Sequence, residues 1–258
     1  MPKETFTNWP VILTGTIVQN PEAIGKREEP QIREQQYMRT LEWMAKARTG
    51  VKTVIFCENS EASLESFEYL SKLWRKRRLS LEIYKVPMSR EEVFLGKGWG
   101  EGQIIRWALE NVHSLGECEG FIKITGRHQL LNVKRVIEVI RRGMGENPNL
   151  KFVCQSFAKS GRPVVHTEVF WSQRDFYVSN MLDVYKDVND QRGIYLEHVI
   201  AERLMNIRDK SIIGVLPIPV ILRGTWGSNG EKIMKTKEIL SASIRQVLLP
   251  MPSLKEFG

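Results

Sequence analysis

Long apolar runs are missing from this sequence. The longest candidate, residues 215–222, is interrupted by Pro217 and Pro219, whereas a helix needs about 20 apolar residues to cross a bilayer. The amino-terminal residues include Lys3 and Glu4 and lack the small-residue cleavage pattern of a secretory signal. We therefore expect a chain that neither crosses a membrane nor carries a secretory signal.

Cysteine is scarce as well. The three cysteines, Cys57, Cys118 and Cys154, lie far apart beside apolar residues, and none forms a Cys-x-x-Cys pair. This pattern is typical of reduced core residues in a cytoplasmic protein.

Acidic residues are outnumbered. Lys and Arg total 38 against 30 Asp and Glu, which gives a net charge of +8 over 258 residues. A positive excess favours phosphate-bearing partners, such as nucleotides, nucleic acid or an anionic membrane face. Nucleic-acid binders usually place aromatic residues along the basic groove, and here only Trp74 adjoins a basic cluster, that of residues 75–78. The basic clusters are therefore interpreted as solvated surface, and nucleic acid is not an expected partner.

Buried-strand and helix patterns alternate through the first half of the chain. This alternation predicts a mostly parallel sheet flanked by helices, joined by right-handed crossovers, in one α/β domain. The predicted strands are residues 9–13, 51–57, 79–86 and 121–127, and the predicted helices are residues 31–48, 60–75, 133–142 and one opened by residues 96–102.

The second half is less regular. Strands are predicted at residues 150–157 and 167–171, an extended segment at 212–222, and helices at 175–184, 193–208 and 231–249.

Polar turns follow three of the predicted strands of the first half. Because ligands of open α/β sheets bind at the carboxyl ends of the strands, we expect these turns to form one ligand-binding edge. The segments are Thr14-Gly15-Thr16, Glu58-Asn59-Ser60 and Thr125-Gly126-Arg127, joined there by the glycine stretch of residues 96–102.

Each of these features also has a purely structural interpretation. The glycines match neither the P-loop nor the dinucleotide motif, so they are either a ligand-binding loop with Lys97 or a tight structural turn. Arg127 could pair with a surface carboxylate instead of a ligand. Glu197 could be placed by the helix dipole alone, and His198 could be an ordinary core or surface histidine.

Three segments together resemble those of bacterial GT-A glycosyltransferases, in particular enzymes of lipopolysaccharide or capsule synthesis. They are Lys-Gly-Trp-Gly-Glu-Gly at 97–102, Phe-Ile-Lys-Ile-Thr-Gly-Arg at 121–127 and Tyr-Leu-Glu-His at 195–198. The resemblance runs from about residue 11 to residue 230. It implies a GT-A-like, Rossmann-like domain, with a nucleotide-sugar-binding half at about 1–130 and an acceptor-binding half at about 131–258.

The resemblance also implies roles for particular residues. Donor-binding roles fall on Thr14, Gly15, Thr16, Glu58, Asn59, Lys97, Gly98, Thr125, Gly126 and Arg127. Glu197 takes the position of the general base in an inverting enzyme, and His198 and Arg203 would orient it or bind phosphate.

One departure concerns metal. Most GT-A enzymes carry Asp-x-Asp after the fourth strand to hold a divalent cation, whereas this chain has Thr125-Gly126-Arg127 there and no Asp-x-Asp anywhere. Arg127, with Lys97, would then neutralise the leaving diphosphate, so that neither a metal nor another cofactor is expected.

The predicted activity is therefore transfer of a sugar from a nucleotide-sugar donor to a glycan, expected to be lipid-linked. The expected location is the cytoplasm, with peripheral contact at the inner membrane face allowed. Two alternatives remain at this point: a sugar-nucleotide nucleotidyltransferase, which needs Mg²⁺ carboxylates, and a basic module that binds RNA or anionic lipid.

Overall fold

An eight-stranded sheet forms the centre of the molecule, and helices cover both of its faces. The computed structural model describes residues 9–21, 27–47, 49–88, 95–158, 161–224, 232–234, 238–242 and 252–257. The strands are β1 (Val11–Gly15), β2 (Thr53–Glu58), β3 (Ser80–Lys85), β4 (Gly120–Thr125), β5 (Gln129–Leu130), β6 (Phe152–Cys154), β7 (Phe157–Ala158), β8 (Val164–Val165), β9 (Val169–Gln173), β10 (Ile213–Val215), β11 (Leu222–Arg223) and β12 (Lys255–Glu256). The helices are α1 (Pro30–Lys46), α2 (Glu68–Lys76), α3 (Lys97–Asn111), α4 (His113–Gly116), α5 (Val133–Glu146), α6 (Arg174–Asn180) and α7 (Leu196–Asn206).

The strand order of the main sheet is β12-β10-β6-β9-β4-β1-β2-β3. Strands β3, β2, β1 and β4 are parallel neighbours, and β10 is parallel to β6. Strand β9 lies antiparallel between β4 and β6, and β12 pairs antiparallel with β10. Two short sheets pair β5 with β11 and β7 with β8. The predicted α/β fold, a mostly parallel sheet flanked by helices, is confirmed.

Alternating side chains of the central strands enter two separate cores. In β1, Val11 and Leu13 belong to one core and Ile12 to the other, and all three are fully buried. The first core is covered by α1, α2 and α5, and the second by α3, α6 and α7. Strands buried on both faces read as continuous apolar runs, which is why the sequence identified them.

Several predicted boundaries move, and hydrogen bonds explain two of the changes. The helix expected from Ser60 begins at Glu68, after a 3₁₀ turn at Glu65–Phe67, because the Ser60 amide donates to the Glu58 carboxylate (2.9 Å) and holds the chain in a loop. The strand expected to continue to Arg127 ends at Thr125 in a turn closed by His128 N–H donating to Thr125 O (2.9 Å). Most of the predicted closing helix at 231–249 lies outside the described residues.

The described cysteines are unpaired thiols. Burial raises the pKa of Cys57 and of Cys154 to about 12, so both are protonated core residues, as predicted, while Cys118 is only half-buried. Among the helices described, none combines the length and the apolar character needed to cross a bilayer.

Candidate active site

A cavity of about 180 Å³ opens at the carboxyl ends of β1, β2 and β4. One face of α3 forms its opposite wall through Gly96, Lys97, Gly100, Glu101 and Ile104, a helical stripe. The predicted residues Thr14, Gly15, Thr16, Asn59, Lys97, Thr125 and Arg127 all line it. The structure thus brings together most of the residues that the sequence placed at this edge.

Two side chains of α1 hold the turn that follows β1. Thr16 N–H donates to the Tyr37 hydroxyl (2.9 Å), and Arg33 Nε donates to Thr16 O (2.8 Å). From β2, Asn59 Oδ1 accepts a hydrogen bond from Thr16 Oγ1 at 2.6 Å. Gly15 is required because a Cβ there would lie 2.6 Å from Phe56 Cε2. The turn is therefore rigid and presents its polar groups to the cavity.

Glu58 and Gly126 support this edge without lining the cavity. The fully buried Glu58 carboxylate accepts from Ile17 N–H (2.9 Å) and pairs with Lys85 Nζ (2.8 Å). Gly126 N–H donates to Thr14 O (3.0 Å), and a Cβ at Gly126 would lie 2.7 Å from that oxygen. Both residues fix the relative positions of the strand ends, and their predicted donor contact stays a prediction.

Three cations line the cavity. Arg33 and Arg127 are buried, with 5% and 8% of their surfaces exposed, and Lys97 is exposed. Protein atoms that displace part of the water around its ammonium group, together with the charges of Arg127 and Arg33, lower the pKa of Lys97. Sequence reasoning missed Arg33, whose position within α1 carried no signal.

Arg127 pairs with a carboxylate, that of Glu28, as its purely structural interpretation predicted. Its Nη1 donates to Glu28 Oε2 (2.7 Å) and to Gln36 Oε1 (3.1 Å). Arg33 Nη1 lies 3.9 Å from the same Glu28 oxygen. One carboxylate thus serves two guanidinium groups, which leaves positive charge in excess among these three side chains.

The glycine stretch is not a loop: it forms the first two turns of α3. Gly96 precedes the helix with φ 114°, and the Lys97 amide is capped by Asp190 Oδ2 at 2.8 Å. Gly98 does not line the cavity. A Cβ at Gly98 would lie 2.9 Å from Leu196 Cβ, so Gly98 lets the start of α7 approach α3.

Glu101 is the functional candidate that sequence reasoning missed. Its Oε1 accepts from Thr14 Oγ1 (3.1 Å) and Thr125 Oγ1 (3.3 Å) and forms an ion pair with Lys123. The lysine is fully buried in the centre of β4. A lysine within an otherwise apolar buried strand requires a charge partner, and this was the signal in the sequence that could have revealed the pair.

Glu197 lies beside this network, in the first turn of α7, and is not among the residues that line the cavity. Its Oε1 accepts from Thr167 Oγ1 at 3.0 Å, and Thr167 O accepts from Lys123 Nζ at 2.6 Å. Burial, together with the charges of Glu101 and Glu168, raises the pKa of the Glu197 carboxyl. Glu197 is therefore connected to Glu101 through two intervening residues.

His198 and Arg203 are placed differently from the expectation. The His198 Nδ1 accepts from the Tyr195 backbone N–H (3.3 Å) and so caps α7. Arg203 is exposed in the last turn of that helix, six residues beyond Glu197. Within the described structure, no side-chain hydrogen bond or ion pair joins either residue to the Glu197 carboxylate, and their roles at the reacting groups stay predictions.

The residues present do not fit a divalent metal site of the GT-A kind. Thr125, Gly126 and Arg127 replace the carboxylates, and the one acid among the described lining residues, Glu101, is already paired with a lysine. In the part of the chain that the structure describes, no group of three or more His, Cys, Asp or Glu side chains is arranged to hold a metal ion.

No protein-family model and no curated protein sequence matches this chain. Solved structures do match, and they are nucleotidyltransferases and glycosyltransferases. A cytidylyltransferase from Leptospira borgpetersenii is 10% identical over 95% of this chain and 89% of its own, with a TM-score of 0.46. Core-mannan synthase A from Aspergillus fumigatus, in its Mn/GDP form, is 11% identical over 88% and 78%, with a TM-score of 0.48.

A third match is a glycosyltransferase involved in glycosylation of the major capsid of PBCV-1. It is 12% identical over 81% of each chain, with a TM-score of 0.42. At such identities a likeness concerns the fold and says nothing about the substrate or the reaction.

Proposed function

We propose that this chain is a metal-independent, inverting glycosyltransferase that uses a nucleotide-sugar donor. The observation that carries the proposal is the charge distribution of the cavity. Arg33, Lys97 and Arg127 line it, and the acidic lining residue Glu101 is paired with a lysine. Such a wall suits a diphosphate, which carries negative charge and offers many acceptor oxygens.

The cations would act chiefly on the leaving group. As the bond between the anomeric carbon and the diphosphate oxygen breaks, negative charge develops on that oxygen. Positively charged groups fixed in a partly buried site stabilise such charge without reorganising. Arg127 and Arg33 would supply this stabilisation, with Lys97 at the rim, in place of the metal ion that Asp-x-Asp enzymes use.

Glu197 is the proposed general base. It would take the proton from an acceptor hydroxyl as that oxygen attacks the anomeric carbon from the side opposite the diphosphate, which inverts the configuration there. A base works best when its pKa lies near the working pH, and burial moves the pKa of Glu197 in that direction. Glu197 is not among the described residues that line the donor cavity, so the acceptor hydroxyl would reach it from beside that cavity.

The acceptor class depends on the sequence resemblance. It points to a surface glycan, lipid-linked in the enzymes of that kind, with peripheral contact at the membrane face as a corollary. The division into a donor-binding half before about residue 130 and an acceptor-binding half after it belongs to the same proposal.

The first test is a thermal-shift screen of the whole chain against nucleoside diphosphates and nucleotide sugars, with and without Mn²⁺. A ligand that binds only the folded protein raises the melting temperature. We expect one nucleotide to stabilise the protein equally with and without Mn²⁺. Stabilisation only in the presence of Mn²⁺ would refute metal independence, and product formation from a nucleoside triphosphate and a sugar 1-phosphate would favour a nucleotidyltransferase.

A further inference from the structure

The Glu101 carboxylate is held in one orientation by three donors. Its Oε1 accepts from Thr14 Oγ1 at 3.1 Å and from Thr125 Oγ1 at 3.3 Å, and Lys123 Nζ contacts the same oxygen. These donors come from the ends of β1 and β4, two neighbouring strands of the rigid sheet. A side chain fixed in this way is suited to position a ligand.

Lys123 cannot easily leave this arrangement. Its side chain has no exposed surface, and Nζ also donates to Thr125 Oγ1 (3.0 Å) and Thr167 O (2.6 Å). A buried ammonium group left without its counter-charge is costly. The ion pair therefore holds the Glu101 carboxylate in place beside Lys123.

The second carboxylate oxygen of Glu101, Oε2, takes no part in these contacts. The side chain is 21% exposed and lines the cavity. Within the described structure, all of its hydrogen bonds and its ion pair use Oε1. Oε2 is thus a fixed, charged hydrogen-bond acceptor available to whatever occupies the cavity.

Chemistry limits what this acceptor can bind. A carboxylate oxygen has no hydrogen to donate to a phosphate oxygen, so the diphosphate belongs beside Arg33, Lys97 and Arg127 rather than at Glu101. A hydroxyl-bearing, uncharged group can donate to Oε2. On the basis of the proposed function, we infer that Glu101 accepts a hydrogen bond from a hydroxyl group of the transferred sugar and thereby selects sugars that carry it.

Calorimetric titration of the whole chain tests this assignment. The probes are UDP, GDP, CDP and dTDP, each compared with its glucose or mannose conjugate. In Glu101→Gln, we expect the sugar conjugate that binds the wild type to lose about 10- to 100-fold in affinity, as for a hydrogen bond to a charged group. Affinity for the matching free nucleoside diphosphate should stay unchanged. Arg127→Ala is the contrasting variant and should weaken both ligands.

The double variant Glu101→Gln/Lys123→Met guards against misfolding, because it removes both members of the ion pair and should give the same selective loss. Equal losses for the conjugate and the free diphosphate, or no loss for either, would refute the assignment while leaving the proposed function intact. If the wild type binds none of the probes, the proposed function is refuted, and this inference with it.

Deoxy analogues of the sugar that binds then identify the hydroxyl. The analogue that lacks the hydroxyl donating to Glu101 should bind the wild type more weakly than the intact conjugate does. To Glu101→Gln, that analogue and the intact conjugate should bind equally. If every deoxy analogue shows a further loss in the variant, Glu101 does not bind the sugar.

Discussion

Glu101 and Glu197 both lie near the beginning of a helix, yet their surroundings differ in charge. Glu101, in α3, faces a cavity rich in cations and shares an oxygen with two threonines and Lys123. Glu197, in α7, accepts a hydrogen bond from Thr167, and the negative charges of Glu101 and Glu168 help to raise its pKa. The lysine and the threonines fix the first carboxylate in place, whereas burial and like charge raise the pKa of the second and make it a stronger base.

This difference assigns separate tasks to the two carboxylates. A carboxylate fixed by a lysine and two threonines is a good hydrogen-bond acceptor for a hydroxyl group. A carboxylate with a raised pKa accepts protons more readily near neutral pH. Helix position is similar in the two cases, so the neighbouring side chains decide the role.

The sharpest test of this division is removal of the proposed base. In Glu197→Ala, transfer should fall roughly 1,000-fold, the range expected for loss of a general base, while affinity for the donor stays close to that of the wild type. Turnover assays and calorimetric titration measure the two quantities. Glu202→Ala is the matched control, because Glu202 is on the same helix and pairs with the exposed Arg162 (2.9 Å). Wild-type turnover in Glu197→Ala would remove Glu197 as the base.

The free energy of unfolding should depend strongly on Glu101, whereas turnover should depend strongly on Glu197. Glu101→Gln leaves the buried Lys123 without its partner and should lower the free energy of unfolding by about 3 kcal/mol. Adding Lys123→Met should restore much of the loss. Glu110→Gln, which breaks an exposed ion pair with Arg106 on the same helix, should change stability by less than about 1 kcal/mol. Chemical denaturation measures all three, and equal effects at Glu101 and Glu110 would contradict the buried pair.

The sequence was sufficient to predict the edge of the sheet but not the charge network on it. Apolar strands that end in polar turns identify where Thr14, Asn59 and Arg127 converge, because parallel strands end at the same edge. The ion pairs depend on contacts distant in the chain. Glu28 and Arg127 are 99 residues apart, and no local pattern predicts that they meet.

The glycine stretch illustrates the same limit. Its spacing correctly marked a place of close approach, but the approaching groups are protein side chains as well as any ligand. Gly98 accommodates Leu196, and Gly102 accommodates Tyr185, whose Cβ would lie 2.1 Å from a Cβ at that position. Glycine is selected wherever backbone must come close to something, and the sequence does not state what that is.

The dependence of kcat/KM on pH tests the role of Glu197. Burial, with the charges of Glu101 and Glu168, raises the pKa of Glu197 above its usual value of 4.5. His166 Nδ1 lies 3.5 Å from Glu168 Oε2, and the nearby carboxylate raises the pKa of His166. Transfer needs ionised Glu197, so kcat/KM should fall as pH decreases through this raised pKa, with the acidic limb above the range of an ordinary glutamate.

The same shift has a consequence for folding. Because the unfolded chain releases the Glu197 proton at a lower pH than the folded protein does, ionisation of this group costs stability as pH rises through the interval between the two pKa values. Glu197→Gln should therefore melt at a higher temperature than the wild type at neutral pH, and the difference should vanish below about pH 4. Thermal unfolding over this pH range measures it. A variant that is less stable than the wild type at neutral pH would place Glu197 in the same class as Glu101, a carboxylate whose charge the fold requires.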